Sequence, residues 1–139
     1  MTDEQLTPQF QVFVYGTLKP GECNYQRYCV GRVIKTYPAI TYGQLFALPM
    51  GYPGMTTGEG IVYGVVLGFN DPTLLLDLDQ LEGYHAERPE LSEYERQLIN
   101  IFNLEQEPLG TVWAYLMQVE KIKQLGGKLI HSGCWESLP

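Results

Sequence analysis

The sequence has little of several features that would indicate particular classes of protein. It contains only 3 cysteines, Cys23, Cys29 and Cys134, and they lack CxxC spacing. An odd, scattered set of this kind predicts neither a disulfide framework nor a zinc site. Basic residues are also few, with 9 Lys and Arg against 16 Asp and Glu and a formal net charge of -7. Because an acidic chain binds nucleic acid and anionic membranes poorly, we expect neither as a partner.

Long apolar runs are absent as well. No stretch approaches the ~20 consecutive apolar residues that a membrane-spanning helix needs. The first nine residues, MTDEQLTPQ, are polar and acidic, which is the opposite of a signal peptide. We therefore expect a flexible segment over residues 1–9, a single domain over residues 10–139, and a location in the reducing cytoplasm.

The aromatic and β-branched residues are concentrated in segments that predict strands. Five segments have this composition: residues 12–15, 32–48, 61–69, 96–102 and 111–119. The unbroken hydrophobicity of residues 61–69 predicts a strand buried on both faces, and the last two segments predict a hairpin. The glycines and proline of residues 50–60 predict a loop.

One helix is predicted, in the segment DPTLLLDLDQLEG. Asp71 suits the N-cap, Pro72 suits the first helical position, and Gly83 suits the position just after the last turn. Because strands outnumber helices and the helix falls between strands, the pattern predicts an α+β domain whose sheet closes into a small barrel.

Glu82 occupies an unusual position on this helix. At about 100° per residue, it falls within the same apolar arc of about 120° as Leu75 and Leu78. Asp77 and Asp79 lie beyond the two edges of that arc, where we expect solvent. Partial burial and the negative end of the helix dipole would both raise the pKa of the Glu82 carboxyl group. Glu82 is therefore either a proton shuttle or a helix-end glutamate whose side chain bends out to water.

The segment after the first strand, GTLKPGEC, has the glycine spacing of a phosphate-binding loop. That motif requires Lys and then Ser or Thr after the second glycine, but Glu22 and Cys23 stand there. Two interpretations are left. Successive main-chain N–H groups bind a small anion such as a carboxylate, or residues 19–21 simply form a turn.

Three further groups of residues allow a functional and a structural interpretation. Glu82 and His85 are three residues apart, a spacing that could place two metal ligands on one helix. However, the predicted helix ends between them and no second His or Cys cluster completes a site, so no metal is predicted. Tyr94 and Arg96 share one face of a strand, where they form either a ladder of surface side chains or part of a binding site. Tyr115 lies mid-strand, where it is either a core tyrosine with a satisfied hydroxyl or a donor lining a cavity.

Four motifs occur in a fixed order along the chain: VFVYGTLKPG with Asn24 close behind, then LDQLEGY, YERQLINI and VWAY. In this combination they resemble the γ-glutamylcyclotransferase-like family, in particular its small γ-glutamylamine cyclotransferase and AIG2-like branch. The resemblance implies a small mixed β-barrel with flanking helices, whose central cavity opens at the YGTL turn. It implies Glu82 as the catalytic residue, and it implies no cofactor. The substrate-binding residues that go with this fold are Tyr15, Gly16, Thr17, Leu18, Tyr94, Arg96 and Tyr115.

The activity implied is the conversion of a γ-glutamyl amine or γ-glutamyl amino acid into 5-oxoproline and the free amine, an intramolecular acyl transfer. The expected partner is this small-molecule substrate, and the expected state is a monomer or weak homodimer. Two alternatives keep the fold. One is a non-catalytic module that binds a small ligand, and the other is an enzyme that removes a γ-glutamyl group from another acyl substrate. The long connection at residues 85–93 departs from the family pattern, and we expect a lid or rim there that bears on the leaving amine.

Overall fold

The computed structural model of the chain describes residues 8–136, so most of the expected flexible segment and residues 137–139 lie outside the described part. The elements follow in this order: β1 (Phe10–Val14), β2 (Lys35–Ala47), β3 (Pro53–Phe69), α1 (Pro72–Leu81), β4 (Glu95–Phe102), β5 (Pro108–Leu116), α2 (Val119–Gln124) and β6 (Lys128–Leu129). A π-helical turn at Tyr25–Cys29 and a 3₁₀ turn at Pro89–Leu91 complete the chain. The longest helix has 10 residues, and no described helix is long and apolar enough to cross a membrane.

The strands form one sheet in the order β3-β1-β5-β4-β2-β6, and β2 also pairs with β3. This extra pairing turns the sheet into a ring. β1 runs parallel to β5, whereas β1–β3, β2–β3, β2–β4 and β4–β5 are antiparallel. The mixed α+β fold with flanking helices that the sequence predicts is therefore confirmed.

Two core clusters lie on opposite faces of β1, because successive side chains of a strand point to opposite sides. Val12 and Val14 pack in the cluster that contains Leu74 and Leu78 of α1. Phe13 packs in the other cluster, with inward-facing residues of β3 and β5. The sheet thus has one face inside the ring and one face covered by α1.

The caps of α1 are those that the sequence predicts. The Asp71 side chain accepts a hydrogen bond of 2.9 Å from the Thr73 N–H, and Pro72 begins the helix. Gly83 adopts a φ of 66°, a left-handed conformation that favours glycine directly after a helix. The helix consequently ends at Leu81, with Glu82 as its C-cap.

Three predictions about the elements are wrong. Residues 50–60 are not a loop, because β3 begins at Pro53 and pairs with β2 from there, and a proline is tolerated as the first residue of a strand. The 61–69 strand is buried on both faces only over residues 66–69, since Tyr63 is exposed. The strand predicted over 111–119 ends at Leu116, and Val119 begins the short helix α2.

Candidate active site

A cavity of about 180 Å³ opens at the point where β1 ends. Its wall combines the end of β1, the turn that follows it, the end of α1 and the chain that enters β4. The lining residues are 13–18, Asn24, Tyr52, Pro53, Leu81, Glu82, Glu93, Tyr94 and Tyr115. The structure therefore brings together all the site residues named from the sequence except Arg96.

The turn after β1 leaves main-chain donors unused. It is closed by a hydrogen bond of 3.0 Å from the Lys19 N–H to the Gly16 carbonyl. Asn24 braces it, since its side-chain amide donates to the Thr17 hydroxyl at 2.8 Å and its N–H donates to the Thr17 carbonyl at 3.0 Å. Within residues 8–136, the N–H groups of Gly16, Thr17 and Leu18 donate to no other protein group. Such successive free amides form a site for a small anion.

Gly16 is glycine because a second segment passes directly over it. A Cβ atom at this position would lie 2.6 Å from Cγ and 2.8 Å from Cδ of Pro53. The ring of Pro53 has little freedom to move aside. On its other flank, the turn is held by Lys19, whose Nζ donates to the Trp135 carbonyl at 2.5 Å. The amides are thus presented on a rigid support.

Glu82 is fixed by its main chain and points its side chain into the cavity. Its N–H donates to the Leu78 carbonyl at 2.9 Å, and its carbonyl accepts from the Tyr94 N–H at 3.2 Å. Burial, followed by the negative charge of Glu93, raises the pKa of the Glu82 carboxyl group to about 8. In the described part of the chain, the carboxylate accepts no hydrogen bond that would stabilise its charged form. The side chain has the properties of an acid–base group that is free to act on a ligand.

Glu93 is a second carboxylate in the cavity, and the sequence reasoning missed it. Its N–H donates to the Gly83 carbonyl at 3.0 Å, and its Oε1 accepts from the Tyr52 hydroxyl at 2.7 Å. Burial and the charge of Glu93 raise the pKa of Tyr52 to about 12, so this hydroxyl stays a donor. Helix and strand periodicity cannot predict where a side chain points when it lies in a connection between elements. The one available clue is that Glu93 directly precedes Tyr94 of the YxR motif.

Three tyrosines line the cavity with hydroxyl groups that already have acceptors. Tyr15 donates to the Tyr115 carbonyl at 2.6 Å, Tyr94 to the Pro53 carbonyl at 2.6 Å, and Tyr115 to Asp79 Oδ1 at 2.7 Å. Burial is the largest cause that raises the pKa of each hydroxyl, so all three stay protonated. Tyr115 lines the cavity, but its hydroxyl already donates to Asp79, so it is a tyrosine with a satisfied hydroxyl, and its role as a donor to a ligand stays a prediction.

Arg96 and Asp79 form an ion pair beside the cavity. The Asp79 side chain is only 14% exposed and lies 2.9 Å from Arg96 Nε, so the expectation that Asp79 faces solvent is wrong. Helical periodicity places Asp79 at the edge of the apolar arc of α1. In the structure β5 covers that edge, and its residue Tyr115 donates a hydrogen bond to Asp79. The Arg96 guanidinium stacks 4.5 Å from the Trp113 ring centroid and 5.5 Å from that of Tyr84. A substrate-binding role for Arg96 stays a prediction.

Asp77, at the opposite edge of the wheel, has a side chain that is 45% exposed, as the sequence predicts. It pairs with Arg32 at 3.0 Å, away from the cavity. Among the residues that the structure describes, no group of three or more His, Cys, Asp and Glu side chains is arranged to hold a metal ion.

The motifs, the ring-shaped sheet and this cavity can be compared with known proteins. The family model described as "Gamma-glutamyl cyclotransferase, AIG2-like" matches residues 12–137. The chain belongs to this family. The match includes every cavity residue, and the family predicted from the four sequence motifs is confirmed.

Relatives and solved structures agree with this assignment. The "Gamma-glutamylcyclotransferase family protein YtfP" of Escherichia coli K12 is 34% identical over 126 residues, covering 90% of this chain and 95% of that protein. The solution NMR structure of ytfP from Escherichia coli has a TM-score of 0.62 at 32% identity, covering 91% of this chain and 96% of that one. The crystal structure of an aig2-like protein from Mus musculus has a TM-score of 0.66 at 22% identity, with 91% and 88% of the chains covered, and shows a shared fold.

Proposed function

We propose that this protein is a cyclotransferase that converts a γ-glutamyl amine or γ-glutamyl amino acid into 5-oxoproline and the free amine. One observation carries the proposal. The Glu82 carboxyl group, with its pKa raised to about 8, lines the same cavity as the unused amides of Gly16, Thr17 and Leu18. A zwitterionic γ-glutamyl head needs both features, a proton acceptor for its amine and donors for its carboxylate.

In this proposal the three amides bind the α-carboxylate, the group whose full negative charge persists throughout the reaction. The α-ammonium group then faces Glu82. The confined cavity favours a folded glutamyl chain, in which the α-nitrogen can approach the γ-carbonyl carbon to ~3–3.5 Å. The buried tyrosines cannot act as bases, because burial keeps their hydroxyl groups protonated. In this proposal the acid–base chemistry is assigned to the Glu82 carboxyl group, because its pKa is raised to about 8.

The proton transfers balance with one carboxylate. The Glu82 carboxylate takes a proton from the substrate ammonium, and the neutral amine attacks the γ-carbonyl carbon. The protonated Glu82 then gives this proton to the departing nitrogen as the carbon–nitrogen bond breaks, and it takes the second proton of the attacking nitrogen. Finally it passes that proton to the released amine. An α-amine has an unperturbed pKa of about 8, so the first transfer to a group with a pKa of about 8 is nearly balanced in free energy.

The test is release of 5-oxoproline by the purified protein from γ-glutamyl amides and γ-glutamyl dipeptides, measured by chromatography. Each substrate is paired with its N-acetyl derivative, whose α-nitrogen cannot attack as an amine. We expect 5-oxoproline from the free-amine substrates only, with one equivalent of released amine.

Two other outcomes would contradict the proposal. Release of glutamate instead of 5-oxoproline would identify a hydrolase that removes the γ-glutamyl group with water. Binding of the substrates without any turnover would favour the ligand-binding module.

A further inference from the structure

Residues 128–136 form a C-terminal segment that has no part in the proposed reaction. The segment begins with β6, which pairs with β2. The Ile130 N–H then donates to the Leu45 carbonyl of β2 at 2.8 Å, and the Gly133 carbonyl accepts from the Tyr63 N–H of β3 at 2.9 Å. The segment is thus fastened to both long strands of the ring before it reaches the cavity.

Gly133 determines the path of the C-terminal segment. Its φ of 72° is a left-handed conformation that favours glycine. A Cβ atom at this position would also overlap the carbonyl oxygen of Ile61 in β3. Because both the backbone conformation and the available space exclude a side chain, any other residue here would displace the segment from β3.

The C-terminal segment runs on to the turn that carries the three free amides. Trp135 is only 7% exposed and packs in the core cluster that contains Phe13. A Cβ atom on Gly16 would lie 3.9 Å from Cε3 of Trp135, on the side that Pro53 also covers. The Trp135 carbonyl accepts the hydrogen bond of 2.5 Å from Lys19 Nζ. The segment therefore meets the turn through both a side chain and the main chain.

Lys19 is the hydrogen-bonded link between the turn and the C-terminal segment. Its donor is a partly buried ammonium group, and such a charge-assisted hydrogen bond is stronger than one between neutral groups. Within the described residues, Lys19 forms no ion pair with a carboxylate that would compete for the ammonium group. The main-chain N–H of Lys19 also closes the turn onto the Gly16 carbonyl. One residue thus fastens the turn to itself and to the segment.

We propose that Lys19 is a positioning residue, which holds the turn against the C-terminal segment and so keeps the amides of residues 16–18 aligned to bind an α-carboxylate. This inference rests on the proposed function, in which those amides bind that group. Three amides bind one carboxylate well only in a fixed mutual orientation, because a hydrogen bond weakens steeply as its angle departs from linearity. Selectivity for the α-carboxylate then depends on a residue that does not line the cavity and on a contact between residues 116 positions apart.

The test compares two substrates that differ only in the α-carboxylate, γ-glutamyl butylamide and 4-aminobutanoyl butylamide. In each, the amine attacks the amide carbonyl carbon and butylamine leaves, which gives 5-oxoproline or 2-pyrrolidinone. For the wild-type protein we expect kcat/KM for the γ-glutamyl substrate to be higher by about a hundredfold or more. In Lys19→Met we expect this ratio to fall by about tenfold, mainly through a higher KM for the γ-glutamyl substrate. A merely structural role would lower both substrates alike and leave the ratio unchanged.

Lys128→Met is the matched control. Lys128 is exposed on the same segment, so the variant removes the same charge without touching the turn, and the ratio should stay at its wild-type value. Gly133→Ala disturbs the link without changing Lys19. Because it displaces the segment, we expect a fall in the ratio similar to that of Lys19→Met, and little further loss in the double variant. If Gly133→Ala kept the wild-type ratio, Lys19 would act on the ligand through its charge and the inference would be wrong.

Calorimetry gives a second readout that needs no turnover. N-butylglutaramate keeps the carboxylate but lacks the α-amine, and N-butylbutanamide lacks both groups, so neither ligand can cyclise. If no substrate is turned over but the binding preference for N-butylglutaramate falls in Lys19→Met, the reaction is wrong and the inference stands. If turnover occurs with a substrate ratio that Lys19→Met leaves unchanged, the inference is wrong and the reaction stands. Lys19→Met alone decides the inference in this way if Gly133→Ala does not fold.

Discussion

Replacing Glu82 with glutamine should make the folded protein more stable at neutral and alkaline pH. Burial and the charge of Glu93 raise the pKa of this carboxyl group from 4.5 to about 8 in the folded protein. In the unfolded chain the group is exposed and ionises near its ordinary pKa. Between these two values the unfolded state has lost the proton and the native state still holds it. The free energy of unfolding of the wild-type protein therefore falls as the pH rises through this interval.

The magnitude follows from the size of the shift. One proton difference changes the free energy of unfolding by about 1.4 kcal/mol per pH unit. A shift in pKa from 4.5 to about 8 lowers the free energy of unfolding of the wild-type protein by about 3 to 5 kcal/mol in total. This full loss is reached only above the folded-state pKa. Glutamine has nearly the shape of a protonated glutamate and does not titrate. The free energy of unfolding of Glu82→Gln should exceed that of the wild type by nearly zero near pH 4.5 and by about 3 kcal/mol near pH 7.

The assay is urea denaturation of both proteins at several values between about pH 5 and about pH 9. The quantity of interest is the difference in the free energy of unfolding between variant and wild type, because other titrating groups largely cancel in it. Glu90→Gln, which removes an exposed carboxylate, should show a small difference that barely changes with pH. If the difference for Glu82→Gln were equally flat, Glu82 would ionise normally in the folded protein, and its pKa would not be raised by burial.

Two further substitutions test the support around the cavity. Gly16→Ala places a Cβ atom 2.6 Å from Pro53 Cγ, so we expect a loss of about 1–3 kcal/mol of stability together with reduced turnover. Unchanged denaturation and turnover would show that Pro53 moves aside freely. Asp79→Ala leaves Arg96 without its ion-pair partner and the Tyr115 hydroxyl without its acceptor, so we expect a loss of about 2–4 kcal/mol in urea denaturation. A loss below about 0.5 kcal/mol would mean that water replaces both contacts.

The sequence correctly predicts features that depend only on residues close together in the chain. The α1 caps at Asp71 and Gly83 follow from side-chain chemistry and backbone conformation at single positions. The inward direction of Glu82 follows from helical periodicity alone. Asp79 is on the same helix, but its burial depends on Tyr115, which arrives 36 residues later in the chain. Periodicity along one helix cannot report a contact of that kind.

Glycine and proline misled the prediction for residues 50–60. These residue types favour turns when only the local sequence is considered. Here Pro53 and the residues after it continue a ladder with β2, in which Ala47 pairs with Pro53 and Gln44 with Thr56. The pairing strand and the packing over Gly16 outweigh the local preference. Glu93 was missed for a related reason, because its direction depends on contacts with Tyr52 and Gly83 rather than on any periodic element.

The decisive measurement compares 5-oxoproline release from a γ-glutamyl amide by three proteins: the wild type, Glu82→Gln and the surface control Glu90→Gln. We expect turnover by the wild type and by the control. For Glu82→Gln we expect a loss of about 10²–10⁴-fold in kcat, the usual consequence of removing a general acid–base group. If folded Glu82→Gln released 5-oxoproline within about tenfold of the wild-type rate, another group would have to move the protons, and Glu82 would not be the acid–base residue.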